Sequence, residues 1–195
     1  MHEDKLYLQT LYSLTVGCPN MQTKFTSAGI IIILMMIIRP AAVADYGALC
    51  ALIYQVDRLH RENLPDIFQE STGPARQREY ILGLIAAENI AFFVAEQDER
   101  LAGFVVAILR MSSDIPILVP RSYALIENLG VDRDYQGQGI GEALMEHVQQ
   151  WAEGEGAGSI ELTVYEFNRR ARSFYENLGY RTESRRMIKD IGLPG

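Results

Sequence analysis

Metal and disulfide chemistry have little to work with in this sequence. Among 195 residues there are two cysteines, Cys18 and Cys50, and three histidines, His2, His60 and His147, all far apart. That excludes a zinc cluster, whose ligands recur at short spacings. Two cysteines with no motif spacing read as free thiols in a reducing, cytoplasmic compartment. No apolar run reaches the ~20 residues that cross a bilayer; the longest, AGIIIILMMII from Ala28 to Ile38, ends at Arg39. Basic residues are the minority, 18 against 25 acidic, for a net charge of −7. Such a chain gains nothing from displacing phosphate counterions, which argues against a nucleic-acid partner. What remains is ordinary globular composition, 48% hydrophobic and 22% charged. The length favours one domain able to fold without staples.

The run from Ala28 to Ile38 has two readings. Lys24 before it and Ala42-Val43-Ala44 after it fit a secretory signal,. Its length and β-branching fit a buried strand that Arg39-Pro40 stops, since proline cannot donate to a ladder. Residues 1–32 are expected to be an extension, disordered or preceding a true start at Met35 or Met36. A docked helix over Leu6 to Leu14 is the rival reading.

Further on, periodicity predicts a helix from Ala44 to Leu59, with apolar residues at Tyr46, Leu49, Cys50, Ile53, Val56 and Leu59 and a cap at Asp45,. A loop is expected over residues 60–72 and a second helix from Pro74 to Ala87. Residues 92–96 and 101–110 read as a hairpin, and Ser122 to Val131 as another strand. A strong helix spans Gly139 to Glu153, ended by the glycines at 154, 156 and 158. A strand from Ser159 to Tyr165, a helix from Arg169 to Leu178 capped by Asn168, and a last strand from Tyr180 to about Ile188 complete the order β-α-α-β-β-β-α-β-α-β. That alternation implies an α/β or α+β sheet flanked by helices.

Between a strand and the strongest helix lies Gln136-Gly137-Gln138-Gly139-Ile140-Gly141. Glycines there let backbone N–H groups approach a ligand, and a helix N-terminus favours an anion such as a pyrophosphate. A P-loop would end in Gly-Lys-Ser/Thr, but Glu142 follows here. A dinucleotide fingerprint needs Gly-x-Gly-x-x-Gly and an early strand, and neither is present.

Gln136-x-x-Gly139-x-Gly141 resembles the coenzyme A motif of the GNAT superfamily of N-acetyltransferases. The lead-in Glu127 to Asp132 resembles that family's central strand. Asn168-x-x-Ala171-x-x-Phe174-Tyr175-x-x-x-Gly179-Tyr180 resembles its second signature, and Arg39-Pro40-Ala41 its first strand and helix. The resemblance runs from about Ile33 to Ile188. It implies a mixed, mostly antiparallel central sheet flanked by helices, with residues 33–195 as the acetyltransferase domain. It also implies acetyl-CoA as co-substrate, no metal, and a small-molecule or peptide amine as acceptor, acetylated by direct attack in a ternary complex. A non-catalytic coenzyme A-binding or protein-interaction module of the same fold is the alternative. No membrane role is implied, and dimers are common in the family.

The resemblance gives Gln136, Gly137, Gln138, Gly139, Ile140 and Gly141 to the pyrophosphate. It gives the backbones of Leu129 and Val131 to the pantetheine arm, though their side chains also read as core. Asn168 contacts coenzyme A or caps its helix. Tyr175 is the general acid that returns a proton to the departing thiolate, or an aromatic packed against the co-substrate. Glu127 is the candidate base, against an exposed strand carboxylate. Asp57 and His60 lie on one helical face in the region that forms the acceptor pocket. His60 reads as a candidate base, or as merely exposed.

Overall fold

The computed structural model describes residues 21–25, 31–74, 76–113, 115–189 and 191. The strands are β1 (Met21–Phe25), β2 (Ile31–Pro40), β3 (Ile90–Gln97), β4 (Arg100–Met111), β5 (Ser122–Val131) and β6 (Ile160–Leu162). They lie side by side in sequence order. All pair antiparallel except β5 with β6, which are parallel. The helices are α1 (Tyr46–Asn63), α2 (Arg78–Ala86), α3 (Ile140–Gly154) and α4 (Arg169–Asn177). The chain divides into a unit of residues 1–163, which holds the sheet and α1–α3, and a unit of residues 164–195, which holds α4.

From Ile31 on, the apolar run is a strand: β2 pairs with β3 from Met36 to Pro40, and Met36 is buried. Its proline is the last strand residue, where a missing N–H costs no ladder bond. β1, unread in the sequence, pairs with residues 31–35 of β2. The proposed helix over Leu6 to Leu14 lies outside the described residues. The β3–β4 turn is tighter than expected. Only Asp98 (φ 53°) and Glu99 (φ 60°) lie between the strands, and positive φ at both positions is what a two-residue hairpin requires.

Alternation along the strands sorts the core into two layers. Phe92, Val94, Phe104 and Val106 face α1 and α2, where Leu49, Leu52, Ile53 and Ile81 close over them. Gly103 faces the other way. A Cβ added there would lie 3.1 Å from Ile140 Cγ2 and 3.2 Å from Leu144 Cδ1, so α3 rests directly on the β4 backbone. Ile140, Leu144 and Val148 are fully buried against that face, each contributing about 1.5–3 kcal/mol.

Several boundaries differ from expectation, and β6 covers only Ile160–Leu162 of the expected Ser159 to Tyr165. α1 runs four residues beyond Leu59 and includes His60; Arg61 in its last turn sets a cation where it complements the helix dipole,. The Leu64 N–H then closes on the His60 carbonyl at 2.8 Å, just before Pro65,. Asp45 does not cap α1 forward. Its carboxylate reaches back to the Ala42 N–H (2.7 Å) and to the Arg39 guanidinium (2.7 and 2.9 Å). α2 starts at Arg78 rather than Pro74. Residues 180–189 form no strand: Arg181, Glu183, Arg185 and Arg186 are exposed, and so are Met187 and Ile188. Too little apolar surface is covered there to hold a ladder.

Candidate active site

The glycine-rich segment sits where β5 hands over to α3. Asp132 ends the strand: its N–H donates to the Ala102 carbonyl (2.8 Å), and its carboxylate accepts the Asp134 N–H (2.9 Å). A single 3-10 turn (Arg133–Tyr135) follows. Gly137 (φ 76°) and Gly139 (φ 80°) then take left-handed conformations. A Cβ at Gly137 would meet nothing within 4 Å, so conformation rather than crowding selects glycine there,. Gly139 is the N-cap of α3. The first backbone N–H groups of a helix have no intrahelical acceptor and carry the positive end of its dipole, which makes an anion site. Ile140 anchors this end by burying its side chain. The two glutamines of the segment shape it. Gln136 Nε2 donates to the Val131 carbonyl (3.0 Å) and Gln138 Nε2 to the Asp134 carbonyl (3.1 Å).

β5 carries a bulge that the sequence reading did not foresee. Val106 pairs with Asn128 and Ala107 with Ile126, so Glu127 is one residue too many,. Before the bulge, the Ala124 N–H points to the β6 side, donating to Ser159 O at 2.9 Å. Beyond it, the Asp132–Ala102 bond sets the alternation: residues 128 and 130 bond to β4, and the N–H and C=O of Leu129 and Val131 point to the β6 side. The β5–β6 ladder stops at Ile126 and Leu162. Residues 127–131 therefore have no ladder partner on that edge among the described residues, and the edge can accept an extended polar arm. Gly130 keeps this stretch pressed on the core. A Cβ there would lie 2.6 Å from Phe104 Cε1 and 2.8 Å from Val56 Cγ2.

The proposed acceptor-side residues are each engaged with a different partner. Glu127, on the bulge, is exposed and faces Arg110 (Oε1 to Nη2, 3.8 Å). Asp57 receives both terminal nitrogens of Arg76, at 3.1 and 3.4 Å. This pair ties the segment before α2 to α1. His60 Nδ1 lies 2.9 Å from the Val56 carbonyl, which can only accept, so this nitrogen carries the proton,. Its ring packs against Phe68 with centroids 5.3 Å apart.

In the second unit, Asn168 caps α4 by accepting the Ala171 N–H at 3.1 Å. Tyr175 packs edge-on against Phe174 and Tyr180, with centroids 5.1 and 5.7 Å away. Burial, with the neighbouring Tyr180 phenol, pushes the Tyr175 hydroxyl up to about 12, and burial does the same for Tyr180. Both phenols keep their protons at neutral pH.

Two residues went unread. Gln55 on α1 and Gln97 on β3, 2% exposed, both reach toward the segment leading to Gly139. Neither stands in a motif, so nothing in the sequence signals them. A cavity of about 450 Å³ lies between the start of α1 and the β3–β4 turn, lined by Arg39, Asp45, Glu96, Arg100 and Asp132. Among the described residues no acidic, histidine and cysteine cluster could hold a metal ion. No described helix is long and apolar enough to cross a membrane.

An anion cradle at a helix N-terminus beside an open strand edge is the arrangement of an acetyltransferase. The Acetyltransferase (GNAT) family model matches residues 53–180, and this chain belongs to that family. The family uses acetyl-CoA. Among curated relatives, the chain is 33% identical over 112 residues to MJ1207, an uncharacterised N-acetyltransferase of Methanocaldococcus jannaschii, across 57% of this chain and 47% of that protein. It is 35% identical over 89 residues to the ribosomal protein bS18-alanine N-acetyltransferase of Escherichia coli K12, across 45% and 60%. The chain thus spans about half the length of these relatives. Among solved structures, a point mutant of the BH1408 protein from Bacillus halodurans superposes with a TM-score of 0.77 at 29% identity, covering 80% of this chain and 99% of that one. The CoA complex of the aminoglycoside N-acetyltransferase AAC(6')-Iy shares the fold, with a TM-score of 0.62 at 17% identity over 80% and 95%.

Proposed function

We propose that this chain transfers an acetyl group from acetyl-CoA to a primary amine, by direct attack in a ternary complex. The observation that carries this reading is the bulge at Glu127, which turns the Leu129 and Val131 backbones outward just before a glycine-capped helix N-terminus. Acetyl-CoA supplies an activated thioester. In this reading the N–H groups from Gly137 to Gly141 bind its pyrophosphate, with Gln136 and Gln138 holding their loop. The Leu129 and Val131 backbones bind the pantetheine arm. Glu127, which the bulge takes out of strand alternation, receives the proton that the amine loses. Tyr175 returns one to the departing thiolate; its support is a phenol held protonated across the physiological range,. Asn168 serves its own helix first. Asp57 and His60 act on the acceptor indirectly, by fixing Arg76 and Phe68 around α1. The free thiol of Cys50 fits a reducing, cytoplasmic setting,.

Calorimetric titration with acetyl-CoA and with free CoA tests the reading, followed by thiol release with polyamines, amino acids, aminoglycosides and peptides. Micromolar binding with amine-dependent thiol release is the expected result. Binding without release from any amine would turn the reading to a CoA-binding module. Binding of neither ligand would overturn it.

A further inference from the structure

The segment that delivers the chain to the anion cradle is gripped from outside by one side chain. Gln55, in the third turn of α1, donates from Nε2 to Asp132 Oδ2 at 2.8 Å, and its Oε1 accepts the Arg133 N–H at 3.3 Å. These partners fix the amide's orientation, because the reverse would set two acceptors face to face. Asp132 is in turn the residue that ends β5 and seeds the 3-10 turn, through its bond to the Asp134 N–H. Asp134 O then accepts Gln138 Nε2, which leads to Gly139. A continuous set of hydrogen bonds therefore runs from α1, through Asp132 and Asp134, to the cradle. The next residue of α1, Val56, would touch a Cβ at Gly130, so the same helical turn also presses on the open part of β5.

We infer that Gln55 is a positioning residue for the co-substrate: it sets the conformation of residues 132–138 and so the aim of the cradle's N–H groups, without touching the ligand. This rests on the proposed use of the cradle for the acetyl-CoA pyrophosphate. The grip needs one donor and one acceptor on a side chain of this length, which glutamine supplies and methionine does not. Because both bonded partners lie in the loop, removing them alters the loop and leaves the core under α1 as it was.

The test compares wild type, Gln55→Met and Gln55→Glu in the full chain. Gln55→Met raises the calorimetric Kd for acetyl-CoA about tenfold, the loss expected for about one charge-assisted hydrogen bond. It leaves the unliganded Tm within about 2 °C. With any amine that the screen supports, KM for acetyl-CoA rises by the same factor while kcat and KM for the amine hold, the mark of lost uniform binding. Gln55→Glu, which sets a carboxylate against Asp132, weakens acetyl-CoA more than Gln55→Met does. An unchanged Kd in both variants overturns the inference and leaves the proposed function standing. A fall in unliganded Tm that accounts for the weaker binding also overturns it, since Gln55 would then be an ordinary structural residue. If wild type itself fails to bind acetyl-CoA, the proposed function falls and this inference with it.

Discussion

At the proposed donor end, Gly137 and Gly139 hold positive φ, Leu129 and Val131 present their backbones, and side chains serve mainly to shape the main chain. At the proposed acceptor end, Asp57, His60 and Glu127 are ordinary side chains, each already engaged: with Arg76, with Val56 O and Phe68, and with Arg110. The first region depends on backbone conformation, which only a few residue types permit. The second depends on which neighbour a side chain happens to meet. Substitutions should therefore act sharply and specifically at the first and diffusely at the second.

Gly139→Glu tests the contrast hardest. It places an L-residue at φ 80°, which costs about 1–2 kcal/mol, and adds negative charge at an anion site. Acetyl-CoA binding should vanish from the calorimetric range while the far-ultraviolet dichroism stays native. Retained affinity would mean that the cradle is not the donor site.

Tyr175→Phe comes next, with kcat expected to fall roughly a hundredfold, within the range for loss of a general acid, and acetyl-CoA affinity unchanged. The raised phenol adds a pH signature. A folded pKa of about 12, against an ordinary 10.0, means that the native state keeps a proton the unfolded chain gives up. Stability is thus fully present below pH 10 and declines toward pH 12. Denaturation midpoints across that interval should fall less steeply in Tyr175→Phe; equal slopes would remove the claim of burial.

Gly130→Ala should cost about 1–3 kcal/mol in urea unfolding, because fully buried Phe104 cannot yield to the added carbon,. Smallest is Asp57→Asn. Both partners of its ion pair are about one-third exposed, so the loss should stay under about 1 kcal/mol, with acetyl-CoA affinity intact. A large effect on donor binding from Asp57→Asn would erase the distinction between the two ends.

The same contrast governs what could be read in advance. Strand β5 was delimited from Ser122 to Val131 by its alternation, and α3 by its apolar face and flanking glycines, because these patterns follow from backbone periodicity. The cap at Asn168 was legible for the same reason. The bulge at Glu127 was not, since register depends on a partner strand more than 15 residues away. Gln55 was equally hidden: a glutamine on a helix carries no mark of the loop it will meet. His60 was misplaced into a loop because the helix continues after its apolar stripe has faded. The expected last strand failed because alternating residues without a neighbour are not yet a strand.

The surplus residue at Glu127 makes the donor edge a matter of counting. Pair Glu127 as an ordinary strand residue, without the bulge, and every later amide would rotate to the opposite side, so that Leu129 and Val131 would spend their hydrogen bonds on β4,. All the side chains of the motif would survive, but Asn128 and Gly130 would face the open edge in their place. Which amides a foreign chain meets is written here in the register of a strand, and a slip of one residue would change it without altering the chemistry of a single side chain.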